Sequence, residues 1–341
     1  MPSLKALYLL LFSIVVLLGG IALFNYKVDP RCYYSCPEVD LQKSSVNTYY
    51  KTAQTIVAHP EAEQLILGSS RAQTTPPQWV EQVTGLKTIN GATEGAEVMT
   101  KIIFSNMAKE KTKLKRVIWF ADYFELISEN VDGNIKNTEA LRQYLPTESG
   151  IANPWITASH WQSLIDHNTT EASLFHLQHM RSTKIDNGPG SDLYEDCMKP
   201  DYKGKETPES LAREVQMLYQ NYVTGPIKYP QSESAWNRLV EQVSKLKGEG
   251  IEVVVVIIPY NPVFLQKLKI EHFDIYEHHE KWIQKLKNLS EGLNAKVKVY
   301  DTFNGIDGDD GSPKYWNDGV HFTCYGSMKL IEPILKELQQ N

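Results

Sequence analysis

Two stretches of this sequence carry side chains that could do chemistry together. In "LILGSSRAQ", residues 65–73, an apolar run stops at Gly68 and gives way at once to Ser69, Ser70 and Arg71. In "WNDGVHFTCYG", residues 316–326, Asp318 and His321 stand three apart. A serine hydroxyl is a weak nucleophile at neutral pH and needs a base beside it. A histidine can be that base if a carboxylate holds it in the right tautomer. Together these residue types point to acyl-ester chemistry, which needs no metal or organic cofactor. The plain alternative is structural: a turn serine satisfying nearby backbone and an aspartate capping a turn.

The elements around both stretches decide between these readings. "EQLILG", "LKTIN", "KRVIWFAD", "IEVVVVIIP" and "KVKVYD" read as five strands. The third is apolar throughout, as a strand buried on both faces should be. Helical patterns lie between them, in "PPQWVEQVTG", "AEVMTKIIFSNMAKEK", "SAWNRLVEQVSKLKGEG" and "DIYEHHEKWIQKLKNLSEGL", and "CYGSMKLIEPILKELQQ" closes the chain. Strand–helix alternation predicts a three-layer α/β/α fold with a five-stranded, mostly parallel sheet. In such a sheet the loops after the strands open on one edge, where open α/β folds keep their sites. Ser70 follows the first strand and His321 the fifth, so both fall on that edge.

With that placement the chain resembles the SGNH (GDSL-like) hydrolase superfamily over roughly 60–125 and 235–340. Gly68-Ser69-Ser70 matches the family's first block, which makes Ser70 the nucleophile and Ser69 its neighbour. "NGATEGAEV" is similar to the second block, with Gly95 five residues after Asn90, and Asp318 and His321 match the last. The resemblance implies that His321 takes the Ser70 proton, that Asp318 orients His321, and that backbone N–H groups of Ser70 and Gly95 hold the oxyanion. The third block departs. The family shows Gly-x-Asn-Asp, and this chain has "WFADYFEL", with Tyr123 in the asparagine's place beside Asp122. A tyrosine hydroxyl could replace the missing donor; an ionised aspartate could not. Losing one such donor costs about 2.7–4 kcal/mol in the barrier. A degenerate domain that binds a glycan, or scaffolds an envelope assembly, is therefore the alternative to an enzyme.

Other residues have weaker claims. Asn90 reads as a strand-end turn residue or a donor. Arg71 could steer an anionic substrate, since guanidinium pairs with carboxylate or phosphate, or it could pair with a neighbour. Residues 125–230 read as an insertion of short helices holding Trp155, His160, Trp161, His167, His176 and His179. The histidines follow no metal-ligand spacing. The tryptophans either pack the insertion onto the core or stack on sugar rings. His278 and His279 sit in a charged helical stretch and read as a solvated face.

Residues 6–24 carry no charge, and as a helix they span roughly 28 Å, close to the thickness of a bilayer's hydrocarbon core. The run ends in "LFNYK", a poor cleavage site, so an uncleaved anchor is expected rather than a signal peptide. Lys5 on one side and Lys27 and Arg31 on the other nearly balance the positive-inside count. With five residues ahead of the anchor, the long domain is expected outside the cytoplasm. The expected division is an anchor over 1–27, a linker and helix over 28–60, and the hydrolase-like domain over 61–341. Four cysteines (Cys32, Cys36, Cys197 and Cys324) suit an oxidising compartment and allow three pairings, one of them closing a small loop between Cys32 and Cys36. A net charge of −6 argues against nucleic acid. An anchored domain of this kind resembles envelope proteins that handle acyl groups on surface polymers. That implies an acylated polysaccharide as substrate and a membrane acyl-donor protein as partner.

Overall fold

The computed structural model describes residues 4–29, 48–137, 141, 143–145, 162, 164–179, 187–225, 227–293 and 297–340. Cys32, Cys36, Trp155, His160 and Trp161 lie outside them, as do the side chains of His176 and His179.

The five strands form where the apolar runs lie: β1 Gln64–Leu67, β2 Thr88–Asn90, β3 Arg116–Ala121, β4 Glu252–Ile257 and β5 Val297–Asp301. All pairs are parallel, in the order β2-β1-β3-β4-β5. Valine fills four consecutive positions of β4, and Val253 to Ile257 are all buried, because helices cover both faces of a parallel sheet.

Ten helices matter here: α1 Leu4–Val28, α2 Thr48–Ala58, α3 Pro77–Thr84, α4 Val98–Lys111, α5 His167–His179, α6 Pro208–Thr224, α7 Glu233–Gly248, α8 Pro262–Glu271, α9 Phe273–Leu293 and α10 Cys324–Gln340. Their ends follow local chemistry. α3 starts on Pro77, whose missing N–H is not needed in a first turn, and stops at Gly85, which adopts a left-handed φ of 73°. Thr207 caps α6 through its side chain, and Asn261 caps α8 in the same way.

Two features differ from the sequence reading. Inside the stretch read as short helices, α6 is a regular amphipathic helix of 17 residues that buries Leu211, Val215, Tyr219 and Val223. In α9, His279 is fully buried, not part of a solvated face. It falls on the helix stripe of Ile275, Tyr276, Trp282 and Leu286, all buried, while the charged residues around it take the opposite side.

The chain divides into two compact units: Met1–Lys51 with Asp132–Ile185, and Thr52–Val131 with Asp186–Asn341. The second holds the whole sheet. In the first, α1 holds an 18-residue stretch with a mean hydropathy of 2.7 and is long and apolar enough to cross a membrane.

Candidate active site

β1 runs into a single turn of 3-10 helix, Ser70–Ala72, with Ser69 at its cap accepting from the Arg71 N–H. The turn is possible because residue 68 is glycine: a Cβ there would stand 2.4 Å from the Cβ of Ala72. Ser70 is left half-buried at the sheet edge. After β5, the segment 316–322 closes on itself through a bridge between Trp316 and Phe322, and Trp316 is fully buried. Asp318 Oδ1 accepts from the N–H groups of Val320 and His321 at 2.8 and 2.7 Å, fixing a tight loop.

These two loops meet. Ser70 Oγ lies 2.8 Å from His321 Nε2, and His321 Nδ1 lies 2.7 Å from Asp318 Oδ2. With the Nδ1 proton donated to the carboxylate, Nε2 is left to accept from the serine. Burial by itself pushes the Asp318 carboxyl up, but the hydrogen bond and charge of His321 and the two backbone N–H groups outweigh it. The carboxyl stays below its ordinary range and is ionised at neutral pH.

Gly95 follows β2 in an exposed turn with φ 61°, a left-handed conformation that suits glycine. The backbone N–H groups of Ser70 and Gly95 have no acceptor among the described residues. Thr93 donates to the Gly68 carbonyl at 3.1 Å, which holds the β2 loop against the serine turn.

Four other expected residues are buried and bonded to partners within the protein. Arg71 is 1 % exposed, so it cannot steer an anion from solution. Its Nη1 donates to Asp122 Oδ1 at 2.6 Å, its Nε to the Val320 carbonyl at 2.9 Å and its Nη2 to the Pro259 carbonyl. Its guanidinium lies over the Tyr260 ring, 4.8 Å from the centroid. Asp122, fully buried, also accepts from the Ser69 hydroxyl at 2.5 Å. Tyr123 does not take the asparagine's role. Its hydroxyl donates to the Tyr229 carbonyl at 3.2 Å, and its ring stacks on His279 at 3.9 Å between centroids. Asn90 is a turn residue: its amide donates to the carbonyls of Ala72 and Thr75 and accepts from the Ala92 N–H.

The two serines thus divide the work. Ser70 faces His321, while Ser69 and Arg71 tie the turn to Asp122 after β3, to Pro259 after β4 and to Val320 beside His321. One buried guanidinium joins four loops of the same sheet edge. Beneath it lies a second buried pair, Lys101 of α4 with Glu125, to which Trp119 Nε1 also donates at 3.1 Å. Burial pushes the Glu125 carboxyl up, and Lys101 opposes that shift. Sequence reading allowed Arg71 to pair with a neighbour without naming Asp122, and missed the Lys101–Glu125 pair. The available signal was a lone lysine in the apolar run "VMTKIIF" and a lone glutamate in "YFEL". Tyr222 of α6 was also missed. It is half-buried, edge-on to Tyr260 and Phe264, with its hydroxyl pushed up to about 12 by burial, beside the charges of Arg71, Asp122 and Asp318.

A disulfide joins Cys197, in the single helical turn Tyr194–Cys197, to Cys324 at the start of α10, three residues after His321.

No family model matches the chain, and no curated protein matches it. Among solved structures it is similar to a protein from Streptococcus pneumonia provisionally described as a platelet activating factor, at 14 % identity and a TM-score of 0.38. The match covers 84 % of this chain and 91 % of that one. A likeness of that order carries nothing about substrate or mechanism.

Proposed function

We propose that this protein is a membrane-anchored serine esterase or O-acyltransferase, as its sequence blocks resemble the SGNH hydrolases. The observation that carries the reading is the relay from Ser70 through His321 to Asp318. In this reading Ser70 Oγ attacks an acyl carbonyl and His321 Nε2 takes its proton. The oxyanion forms against the N–H groups of Ser70 and Gly95. The tetrahedral adduct collapses, the C–O bond to the leaving alcohol breaks, and the imidazolium returns the proton to that alcohol. A sugar hydroxyl or water then gives its proton to His321 and attacks the acyl-enzyme; the acyl C–O bond to Ser70 Oγ breaks, and the imidazolium returns the proton to that oxygen. The favoured substrate is an acylated envelope polysaccharide, with acetyl as the simplest group. An apolar amino-terminal helix and a Cys197–Cys324 bond support a domain outside the cytoplasm, where disulfides persist.

One observation favours a second reading. Asp122 and Tyr123 are both committed elsewhere, so the third oxyanion donor of the resembling family is missing, as in a domain that binds a glycan without turnover. A serine-reactive fluorophosphonate separates the two. An enzyme is labelled, and Ser70→Ala abolishes the label while the fold, read by circular dichroism, is kept. No label on the native protein would favour the binding module.

A further inference from the structure

α1 carries no charge from Ala6 to Phe24, and Asn25 is the first polar side chain past that run. Asn25 is nonetheless 1 % exposed. Its amide donates to the Leu164 carbonyl at 2.7 Å and to Thr170 Oγ1 at 2.9 Å, and its carbonyl accepts from Ser173 Oγ at 2.8 Å. Both amide protons and the oxygen are satisfied, so α5 is fitted to the end of α1 by a specific polar clasp. α5 itself is preceded by Asp166, whose side chain accepts from the Thr169 N–H at 3.1 Å.

Thr170, Ser173, Leu174 and Leu177 follow the i, i+3, i+4, i+7 spacing of one helix stripe. α1 occupies the polar half of that stripe. The apolar half stays open, with Leu174 52 % and Leu177 49 % exposed, and Ile165 just before the helix is 46 % exposed. Asn25 marks the depth at which the apolar run of α1 ends, where hydrocarbon gives way to headgroups. The open leucines therefore continue the apolar surface of α1 at that depth.

We propose that α5 is an interfacial helix, with Leu174 and Leu177 seated among the acyl chains of the leaflet that holds the end of α1. At 13 residues α5 is too short to cross the hydrocarbon core, so with its leucines at that depth it lies in the interface. α1 is then not a loose tether, because its end is clasped by a second element in the same bilayer. The inference rests on reading α1 as a membrane span.

Photo-cross-linking of the full chain tests it. Benzoylphenylalanine is placed singly at Leu174 and Leu177, at Val15 within α1, and at the exposed Lys245 of α7. The protein is reconstituted in phosphatidylethanolamine–phosphatidylglycerol vesicles, and adducts are read by mass. The expected result is phospholipid adducts at Val15, Leu174 and Leu177, at least tenfold above Lys245. Lipid adducts at Val15 alone would overturn the role of α5 and leave the anchor standing. Adducts from Leu174 and Leu177 to a second copy or to the chain itself would overturn it as well. No lipid adduct at Val15 would overturn the anchor reading and this inference with it.

Discussion

Ser70 Oγ and His321 Nε2 stand 2.8 Å apart although 251 positions separate them along the chain. The contact exists because β1 and β5 are parallel strands of one sheet, so the turns that follow them open on the same edge. Asp318 completes the relay at 2.7 Å. Asp318→Asn keeps the shape but offers an N–H where His321 Nδ1 needs an acceptor, which favours the wrong tautomer. Fluorophosphonate labelling of Ser70 should slow by about 10²–10⁴-fold, with an unchanged circular dichroism spectrum. Labelling at the native rate would remove Asp318 from the relay.

The Arg71–Asp122 pair should separate stability from activity. Asp122→Ala leaves a buried guanidinium without its carboxylate and should cost about 3–5 kcal/mol in urea unfolding. The double variant Arg71→Met with Asp122→Leu removes the unpaired charge but leaves the Ser69 hydroxyl and the Val320 and Pro259 carbonyls without their partners, so it should recover only part of that loss. Its Ser70 labelling should nevertheless fall about 10²-fold, because nothing then pins the serine turn to the carbonyl beside His321. Native labelling in the folded double variant would show that the pair only packs the edge.

Reduction should loosen the site from the histidine side. The Cys197–Cys324 bond closes a sequence separation of 127 residues, and it ends three residues past His321. Cys197→Ser with Cys324→Ser should lose about 2–5 kcal/mol, measured by urea denaturation. A reducing agent should lower the native midpoint and leave that of the double variant unmoved.

His279 should make the domain acid-sensitive. Burial, the largest cause, lowers its pKa from 6.5 to about 3, while its bond to the Ile275 carbonyl opposes this. The folded state thus holds the neutral ring and the unfolded state takes up a proton below 6.5. The stability from this group is fully present above the unfolded value and falls as pH drops from there toward the folded one. The slope approaches about 1.4 kcal/mol per pH unit. His279→Phe removes the slope at a fixed cost, since Tyr260 Oη, 3.0 Å from Nε2, loses its partner. Urea midpoints at pH 7.5 and pH 5 check this: the gap should be larger for the native protein than for the variant. Equal gaps would place the acid sensitivity elsewhere.

The sheet was legible because its signal is local. Apolar runs such as "VVVVI" state their own burial, and Gly85 and Pro77 mark the ends of a helix through their own backbone geometry. Ser70, Asp318 and His321 could be placed on one edge because parallel topology follows from the alternation of strands and helices. That α1 is long and apolar enough to cross a membrane needed nothing beyond length and lack of charge.

The partners of charged side chains were decided by tertiary structure alone. Arg71 read equally as a residue for a substrate or as a partner to an unnamed neighbour and is buried against Asp122, and Tyr123, read as able to replace a donor, turns to Tyr229. His279 looked solvated and lies in the core. A charge reports only that it must be solvated or paired, and the sequence around it does not say with what. The nearest opposite charge can be 51 positions away, as from Arg71 to Asp122, and only the packing of the strands brings the two within 2.6 Å.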